Sequence, residues 1–409
     1  MNLVSGSRLW IEKNPILHKY TYLSEDIDCE VVIVGGGIIG CICAYYLTEA
    51  GVKTILVDKN IIGYSSTSAS TSILQYEIDY ELRVLSAMLG FDNALKAFKF
   101  CEKAVYDIEN VINKLEDKCD FSLKDCLYYT ENASDIEGIR KEYELRKENG
   151  FNVEYINKEN VRGNFSFKLE AGIYSKSGAA QIDPYRFAHE LIHQSSKKGL
   201  IVFENTEVTS IQNHKDFITA ETVNNRKIKA KKVVISTGYE AINMVKQKIC
   251  IPYRSFTIAS KPIENFQGWY NKCLIRDNKE FYNYIRPTAD NRIIMGGEDV
   301  AIGGSYSKMS TLKGSDKAVK QKYSILEGKL RSMFPNIKNI SIEYRFNGIF
   351  GITKDGLPYA GEYSELPNHY FCLSYGSNGI LYGILGAQLI RDLYFGNNNQ
   401  ARDLFSLSR

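Results

Sequence analysis

The sequence is poor in the residue patterns that build metal sites. Its nine cysteines are scattered singly apart from Cys41 and Cys43, no Cys-x-x-Cys pair occurs, and only five histidines are present. These gaps argue against a zinc site, and we expect no metal. Cys41 and Cys43 fall in an apolar stretch that is typical of small buried thiols, so we expect a reducing, cytoplasmic setting.

The sequence also lacks an excess of charge of one sign. It contains 51 Lys and Arg residues against 48 Asp and Glu, a formal net charge of +3. Binding to nucleic acid or to an anionic membrane surface relies on clustered positive charge. We therefore expect neither partner.

Long apolar runs of the signal-peptide or membrane-spanning kind are missing as well. Residues 1–15 have no apolar core, so we expect no export. The run Val31–Leu47 carries no charge over 17 residues and contains four glycines between positions 35 and 40. It is at the short limit for crossing a bilayer, and it fits a buried strand, turn and helix better than a transmembrane segment.

What is present is a pattern for dinucleotide binding. Residues 29–57 predict a strand, a turn, a helix and a second strand. Gly35, Gly37 and Gly40 form Gly-x-Gly-x-x-Gly in that turn, where backbone amides and the helix N-terminus can bind a pyrophosphate. Asp58 follows the second strand, placed to accept hydrogen bonds from a ribose diol and to repel a 2′-phosphate. The pattern predicts NAD or FAD rather than NADP.

Further segments extend this pattern along nearly the whole chain. In order they are GGGIIG, SSTSASTSIL, GAAQIDPYRFAHEL, NTEVTSI, VVISTG, YIRPTADNRIIMGG, TKDGLP and SNGI. Together they resemble the D-amino acid oxidase family of FAD-dependent oxidoreductases. That family includes glycine oxidase, sarcosine oxidase, glutamylputrescine oxidase and bacterial amino-acid dehydrogenases.

The resemblance implies an α/β fold with two interleaved domains, which suits a chain of 409 residues. An FAD-binding, Rossmann-like domain of the glutathione-reductase type would comprise residues 28–80, 160–250 and 340–409. An α+β substrate domain built on an antiparallel sheet would comprise residues 81–159 and 251–339. Residues 1–27 have mixed polarity and no sustained period, so they predict an irregular N-terminal arm.

The resemblance also implies which residues hold FAD. The Ser/Thr-rich loop would pass beneath the flavin and its ribityl chain, and the backbone of one later residue, Val208, would contact the adenine side. The predicted set is Gly35, Gly37, Gly40, Asp58, Lys59, Ser66, Thr67, Ser70, Thr71, Ser72, Ile73, Val208, Thr237, Gly238, Gly348, Ser377, Asn378, Gly379 and Ile380. Sarcosine oxidases attach FAD to a cysteine in the segment aligned with Phe350–Thr353, where this chain has none. We expect FAD to be held non-covalently.

The last predicted helix, over residues 379–395, has a role that its own sequence suggests. Asn378 precedes the helix and can cap it. The free amides at this N-terminus would stabilise negative charge that develops on a flavin ring during reduction. An ordinary capped C-terminal helix is the alternative.

The substrate side departs from the family pattern. Glycine-oxidase-like members carry carboxylate-binding arginines in the segments aligned with Phe350 and Ser377, and both are absent here. Arg286 remains as a candidate carboxylate clamp, with a structural pairing to a nearby acid as the alternative. The candidate catalytic set is Arg286, Tyr284, Tyr253 and Gln75.

The activity that the resemblance implies is oxidation of a small amine or amino acid. Hydride would pass to flavin N5, water would hydrolyse the imine product, and oxygen or a quinone would accept the electrons. Three alternatives stay open: an NAD-linked dehydrogenase, an FAD enzyme that oxidises a hydroxyl such as that of glycerol 3-phosphate, and a flavin-binding subunit without catalysis. A phosphate substrate would need a basic cluster, and the sequence shows none.

Overall fold

The computed structural model describes residues 3–161, 164–302 and 316–409, which form eight α-helices and eighteen β-strands in two sheets. The helices are α1 (Leu9–Lys13), α2 (Ile38–Glu49), α3 (Leu82–Leu89), α4 (Phe91–Lys114), α5 (Ile136–Glu148), α6 (Pro184–Lys197), α7 (Lys317–Met333) and α8 (Gly379–Tyr394). Residues 1–2, 162–163 and 303–315, which fall within the predicted domain ranges, lie outside the described residues.

The eight-stranded sheet contains the predicted dinucleotide-binding unit. Its strand order is β17 (Tyr359–Glu362), β18 (His369–Leu373), β11 (Lys227–Ile235), β2 (Ile27–Val34), β3 (Thr54–Val57) and β8 (Ile201–Phe203), with β10 (Ile218–Thr222) on β11 and β9 (Val208–Asn213) on β10. The five strands from β18 to β8 run parallel. Parallel strands are buried on both faces, and in β2 Val31 and Ile33 pack into one core while Val32 packs into the other.

Helices α2, α6 and α8 pack together on one face of this sheet. Ile42 and Cys43 of α2, Leu191 of α6 and Leu381 of α8 are buried in one shared core. The apolar run of residues 31–47 is thus a strand, a turn and a buried helix. Among the described residues, no helix combines the length and the apolarity needed to cross a membrane.

The ten-stranded sheet is antiparallel except for one pair, β13 with β5. Its order is β1 (Val4–Gly6), β16 (Ile342–Ile352), β12 (Ile251–Ser260), β15 (Ile293–Ala301), β14 (Tyr284–Pro287), β13 (Leu274–Asp277), β5 (Ser122–Thr130), β7 (Ala171–Gln181) and β4 (Ile73–Gln75), with β6 (Val153–Asn157) on β7. Tyr323, Leu326 and Leu330 of α7 pack on strands β12 and β15 in a separate core.

The fold class is as predicted, but strand pairing departs from the predicted domain ranges. Strands β4, β7 and β16 fall within the ranges predicted for the FAD-binding domain, yet they pair within the ten-stranded sheet. The arm at residues 1–27 is also less irregular than predicted, because β1 pairs with β16 and α1 follows it. These pairings join residues far apart in the chain, which local periodicity does not reveal.

Candidate active site

A long cleft lies between the two sheets. It encloses about 2200 Å³ of space that includes its open mouth. Residues that follow β2, β3 and β11 line one end, and residues of β12 to β16 line the other. The carboxyl ends of parallel strands are where such folds bind their ligands, so the first end is the candidate nucleotide site and the second the candidate substrate site.

The glycine turn connects β2 to α2 with little room to spare. Gly35 has φ +110°, a conformation that favours glycine. A Cβ on Gly40 would lie 1.8 Å from the Gly35 carbonyl oxygen, so α2 approaches the turn closely only because position 40 has no side chain. Gly37 occupies the N-cap position of α2, and Thr67 Oγ1 accepts a hydrogen bond from Ile38 N at 2.9 Å.

Asp58 lies at the carboxyl end of β3 and lines the cleft. Its Oδ2 accepts from Gly36 N and its Oδ1 from Asn60 N, both at 2.6 Å. Burial raises the pKa of Asp58, and these two N–H donors oppose the rise. The next residue, Lys59, forms an ion pair with Glu240, and both line the same end of the cleft.

The Ser/Thr-rich loop forms the floor between the two ends of the cleft. It contains a 3-10 turn at Ser66–Ala69, and Ser72 has a left-handed φ of 56°. The hydroxyls of Ser72 and of Ser374, both on the cleft wall, are buried without a hydrogen-bond partner. Buried polar groups in native proteins are normally paired, so these two hydroxyls fit a polar ligand such as the flavin and its ribityl chain.

Helix α8 begins at the cleft, but Asn378 does not cap it in the predicted way. Asn378 holds the N-cap position without a side-chain bond to the helix. Its Nδ2 instead donates to the carbonyl oxygens of Gln75 and Glu77, both at 2.9 Å. The first amides of a helix have no partner within the helix, and Gly379 and Ile380 line the cleft. The N-terminus of α8 is therefore available to an anionic ligand. The two bonds of Asn378 hold this helix end against the backbone of residues 75 and 77.

The cleft wall gathers nearly all of the residues predicted to bind the cofactor. Gly40 does not line the cleft; it allows α2 to pack closely against the glycine turn. The predicted residues on the wall are Gly35, Gly37, Asp58, Lys59, Ser66, Thr67, Ser70, Thr71, Ser72, Ile73, Val208, Thr237, Gly238, Gly348, Ser377, Asn378, Gly379 and Ile380.

The predicted substrate residues divide into two pairs. Tyr284 and Gln75 line the cleft, and the Tyr284 hydroxyl lies 2.8 Å from Ser255 Oγ. Tyr253 is not among the residues that line the cleft. The centroid of its ring lies 5.8 Å from that of Phe350, which does line it.

Arg286 does not line the cleft and does not pair with an acid. Its Nη1 donates to the carbonyl oxygens of Ser72 and Ile182 at 2.8 and 3.1 Å, and the guanidinium lies 5.1 Å from the ring centroid of Trp10. Burial lowers the pKa of Arg286 to about 10. Arg286 thus supports the backbone of Ser72 in the Ser/Thr-rich loop of residues 65–74, which we call the flavin loop.

The unpredicted residues of the substrate end include Arg276, Tyr282 and Asp299. Arg276 donates from Nη1 to Ile78 O at 2.7 Å and from Nη2 to Asp79 O at 3.0 Å, and it lies 4.0 Å from the Tyr282 ring centroid. The signal that could have found Arg276 and Asp299 is a pair of adjacent charged residues in a strand that begins with apolar residues, in LIRD and in IIMGGEDVA.

Asp299 is the acid of the substrate end. Its Oδ1 is buried without a hydrogen-bond partner. Burial raises the pKa of Asp299 to about 7; a hydrogen bond with Ser255 opposes the rise, and the negative charges of Asp79 and Glu298 add to it. This carboxyl can therefore exchange a proton near neutral pH.

A nucleotide end and a substrate end in one cleft between a parallel and an antiparallel sheet define a two-domain flavoenzyme. Within that class the chain belongs to the DAO family of FAD-dependent oxidoreductases, whose family model matches residues 30–393. FAD is its cofactor, and the tight glycine turn and the unpaired serine hydroxyls fit that group.

Individual relatives agree with this assignment. Glycine oxidase of Bacillus subtilis is 24% identical over 375 residues, which cover 89% of this chain and 92% of the relative. Gamma-glutamylputrescine oxidoreductase of Escherichia coli is 23% identical over 383 residues, covering 92% and 85%. The crystal structure of glycine oxidase from Geobacillus kaustophilus superposes with a TM-score of 0.77 at 20% identity, covering 93% of this chain and 99% of that one.

Proposed function

We propose that this FAD-dependent oxidoreductase oxidises the carbon–nitrogen bond of a small amine or amino acid. The observation that carries the proposal is the cleft itself, whose wall includes Tyr282, Tyr284 and Phe350 together with the Ser/Thr-rich loop and the N-terminus of α8. Relatives named glycine oxidase and gamma-glutamylputrescine oxidoreductase support the substrate class.

The residues of the chain contribute mainly positioning and electrostatics. Bound FAD supplies a two-electron acceptor for the hydride on the carbon next to nitrogen. The N-terminal amides of α8 favour negative charge nearby, and Asn378 holds this helix end on the backbone of residues 75 and 77. The aromatic side chains exclude water from the compartment, and the imine is hydrolysed after it leaves.

Anaerobic mixing of the purified holoprotein with amines and amino acids tests the proposal. We expect at least one of them to bleach the flavin absorbance near 450 nm, which is a general property of flavin reduction. Reoxidation with air and with a soluble quinone then identifies the electron acceptor. A flavin that no amine or amino acid bleaches would support the non-catalytic alternative.

A phosphorylated hydroxyl substrate is less well supported by the charges of the cleft. Among the described residues that line it, the basic ones are Lys59 and Arg276. Lys59 pairs with Glu240, and both Nη atoms of Arg276 donate to backbone carbonyls. Two separate basic side chains, each already held by a protein partner, do not form the cluster of donors by which proteins bind phosphate.

We also propose that FAD is held without a covalent bond, since residues 350–353 contain no cysteine. Acid precipitation of the holoprotein is expected to leave all of the yellow colour in the supernatant. Colour that stays with the washed pellet would contradict this.

A further inference from the structure

The pairing of β12 with β15 is interrupted at the cleft wall. Ser255 of β12 lies opposite two residues of β15, Glu298 and Asp299. Glu298 has a left-handed φ of 57°, and its carboxylate pairs with Lys322 at 3.1 Å and Lys329 at 2.5 Å. A bulge of this kind redirects the side chains on either side of it. Glu298 is held against α7, and Asp299 lines the cleft.

The surroundings of Asp299 leave its carboxylate short of positive charge. Its Oδ1 has no hydrogen-bond partner. Among the described residues, the charged groups that act most strongly on it are two carboxylates, Asp79 and Glu298, and the ammonium of Lys322, which already pairs with Glu298. Burying an ionised carboxylate is costly unless a cation or several donors reach it. The cleft is the route by which a cation can do so.

Among the described residues that line the compartment, no arginine presents two free parallel N–H donors to a carboxylate. Arg276 donates one N–H of each Nη to the carbonyls of Ile78 and Asp79, and its Nε is buried. Arg286 lies outside the wall with its Nη1 on Ser72 and Ile182. Bidentate recognition of a carboxylate needs two parallel N–H donors. An amino acid would therefore bring its carboxylate to a site that does not complement it.

The aromatic side chains of the compartment suit a cation. Tyr282 and Tyr284 lie within electrostatic reach of Asp299, and Phe350 lines the same cleft. The faces of aromatic rings attract ammonium groups. Burial and nearby carboxylates raise the pKa of Tyr282 and of Tyr284, so both phenols stay neutral.

We propose that Asp299 binds the protonated nitrogen of the substrate and accepts its proton, and that the preferred substrates are amines without an α-carboxylate. This rests on the proposed function and deepens it. In the step, an N–H bond of the ammonium group breaks and an O–H bond forms on Asp299. The electron pair left on nitrogen then forms the C=N bond as hydride leaves the neighbouring carbon for FAD. The proton on Asp299 passes to solvent after the product leaves.

Anaerobic stopped-flow reduction of the holoenzyme tests this with two panels of compounds. Propylamine, putrescine and benzylamine lack a carboxylate; glycine, D-alanine and L-proline carry one. We expect the first panel to reduce the flavin with the larger second-order constant. Asp299→Asn should lower that constant about 100-fold or more, because a positioned base contributes on the order of 10²–10⁴. Glu280→Gln also removes one negative charge, from an exposed turn between β13 and β14. This variant should keep the wild-type constants.

A binding measurement separates these effects from altered folding. Tetramethylammonium is positively charged but has no N–H bond, so it can bind without reacting. Titration followed by the absorbance of the bound flavin should show tighter binding of tetramethylammonium than of benzoate to the wild type. Asp299→Asn should weaken tetramethylammonium binding about tenfold. The comparison of tetramethylammonium with benzoate is made on the wild-type protein, so it does not depend on whether a variant folds correctly.

The outcomes distinguish the two levels of the proposal. A wild-type flavin that no compound of either panel reduces overturns the proposed function. Faster reduction by amino acids than by amines overturns the assigned substrate class and leaves the proposed function standing. An Asp299→Asn variant that binds tetramethylammonium as tightly as the wild type overturns the role of Asp299.

Discussion

At the residue scale, Asn378 links two parts of the active site that are about 300 positions apart in the sequence. Its amide satisfies two buried carbonyls, at Gln75 and Glu77. Asn378→Ala removes a strong donor from both carbonyls and leaves Glu77 O with only the long bond from Gln75 Nε2, so we expect the free energy of unfolding to fall by about 2 kcal/mol and FAD to bind more weakly. Denaturant titration and flavin fluorescence measure the two effects. Asn398→Ala, at an exposed position, is the control, and equal effects from both variants would contradict this role.

Gly40 is a second residue whose importance comes from its surroundings. A Cβ there would lie 1.8 Å from the Gly35 carbonyl oxygen, which is backbone and cannot turn aside. We expect Gly40→Ala to displace the turn and reduce FAD affinity at least tenfold, as measured by flavin fluorescence during reconstitution. Gly328→Ala is the matched control, since a Cβ in α7 meets nothing within 4 Å. It should stabilise the protein by about 0.5–1 kcal/mol. Normal FAD binding by Gly40→Ala would show that the turn adapts.

At the scale of elements, β1 and α1 cover the flavin loop from outside. Trp10 is 1% exposed, and its Nε1 donates to Ser70 O at 2.7 Å. Trp269, which is 3% exposed, makes the same kind of bond to Cys273 O at 2.7 Å, in the segment that leads into β13. Both Trp→Phe changes remove one buried hydrogen bond, at a cost of about 1 kcal/mol. We expect only Trp10→Phe to increase the rate at which FAD dissociates, followed by flavin fluorescence. If FAD dissociates from the two variants at the same rate, β1 and α1 do not contribute to the retention of FAD.

Elements that depend on local patterns could be predicted from the sequence. The glycine turn, α2 and β3 are neighbours along the chain, so one continuous sequence pattern predicts all three. Strand β7 has no such signal. Its position between β5 and β4 depends on pairings with residues 122–130 and 73–75. These two partner strands fall in different predicted domains.

At the scale of the whole molecule, the two ends of the cleft differed in how well they could be predicted. The nucleotide end is built from short motifs, so its residues could be named one by one. The substrate end is assembled from five strands of one sheet, and which side chain reaches the wall depends on register. The bulge opposite Ser255 decides that Asp299 and not Glu298 faces the cleft. Arg286 was predicted as a carboxylate clamp because the family's arginines at the positions of Phe350 and Ser377 are absent, and only its contacts with Ser72 and Ile182 show that it supports the loop from behind.

The stability of the whole molecule should depend on pH through His189, which is buried in α6 with its ring 4.5 Å from that of Tyr185. Burial lowers the pKa of His189 to about 4, whereas an unfolded histidine titrates near 6.5. Between these values only the unfolded chain binds the proton. The contribution of His189 is therefore complete above about pH 6.5 and is lost as pH falls towards 4, by about 3 kcal/mol.

Denaturant titrations between pH 4 and 7.5, with FAD in fixed excess, measure this loss. His189→Gln stays neutral throughout, so the stability of the wild type relative to this variant should decrease as the solution is acidified. His214→Gln, on an exposed hairpin, should follow the wild type across the range. A wild-type profile that runs parallel to that of His189→Gln would show that His189 is protonated in the folded protein, which would require water or an acid to reach its ring.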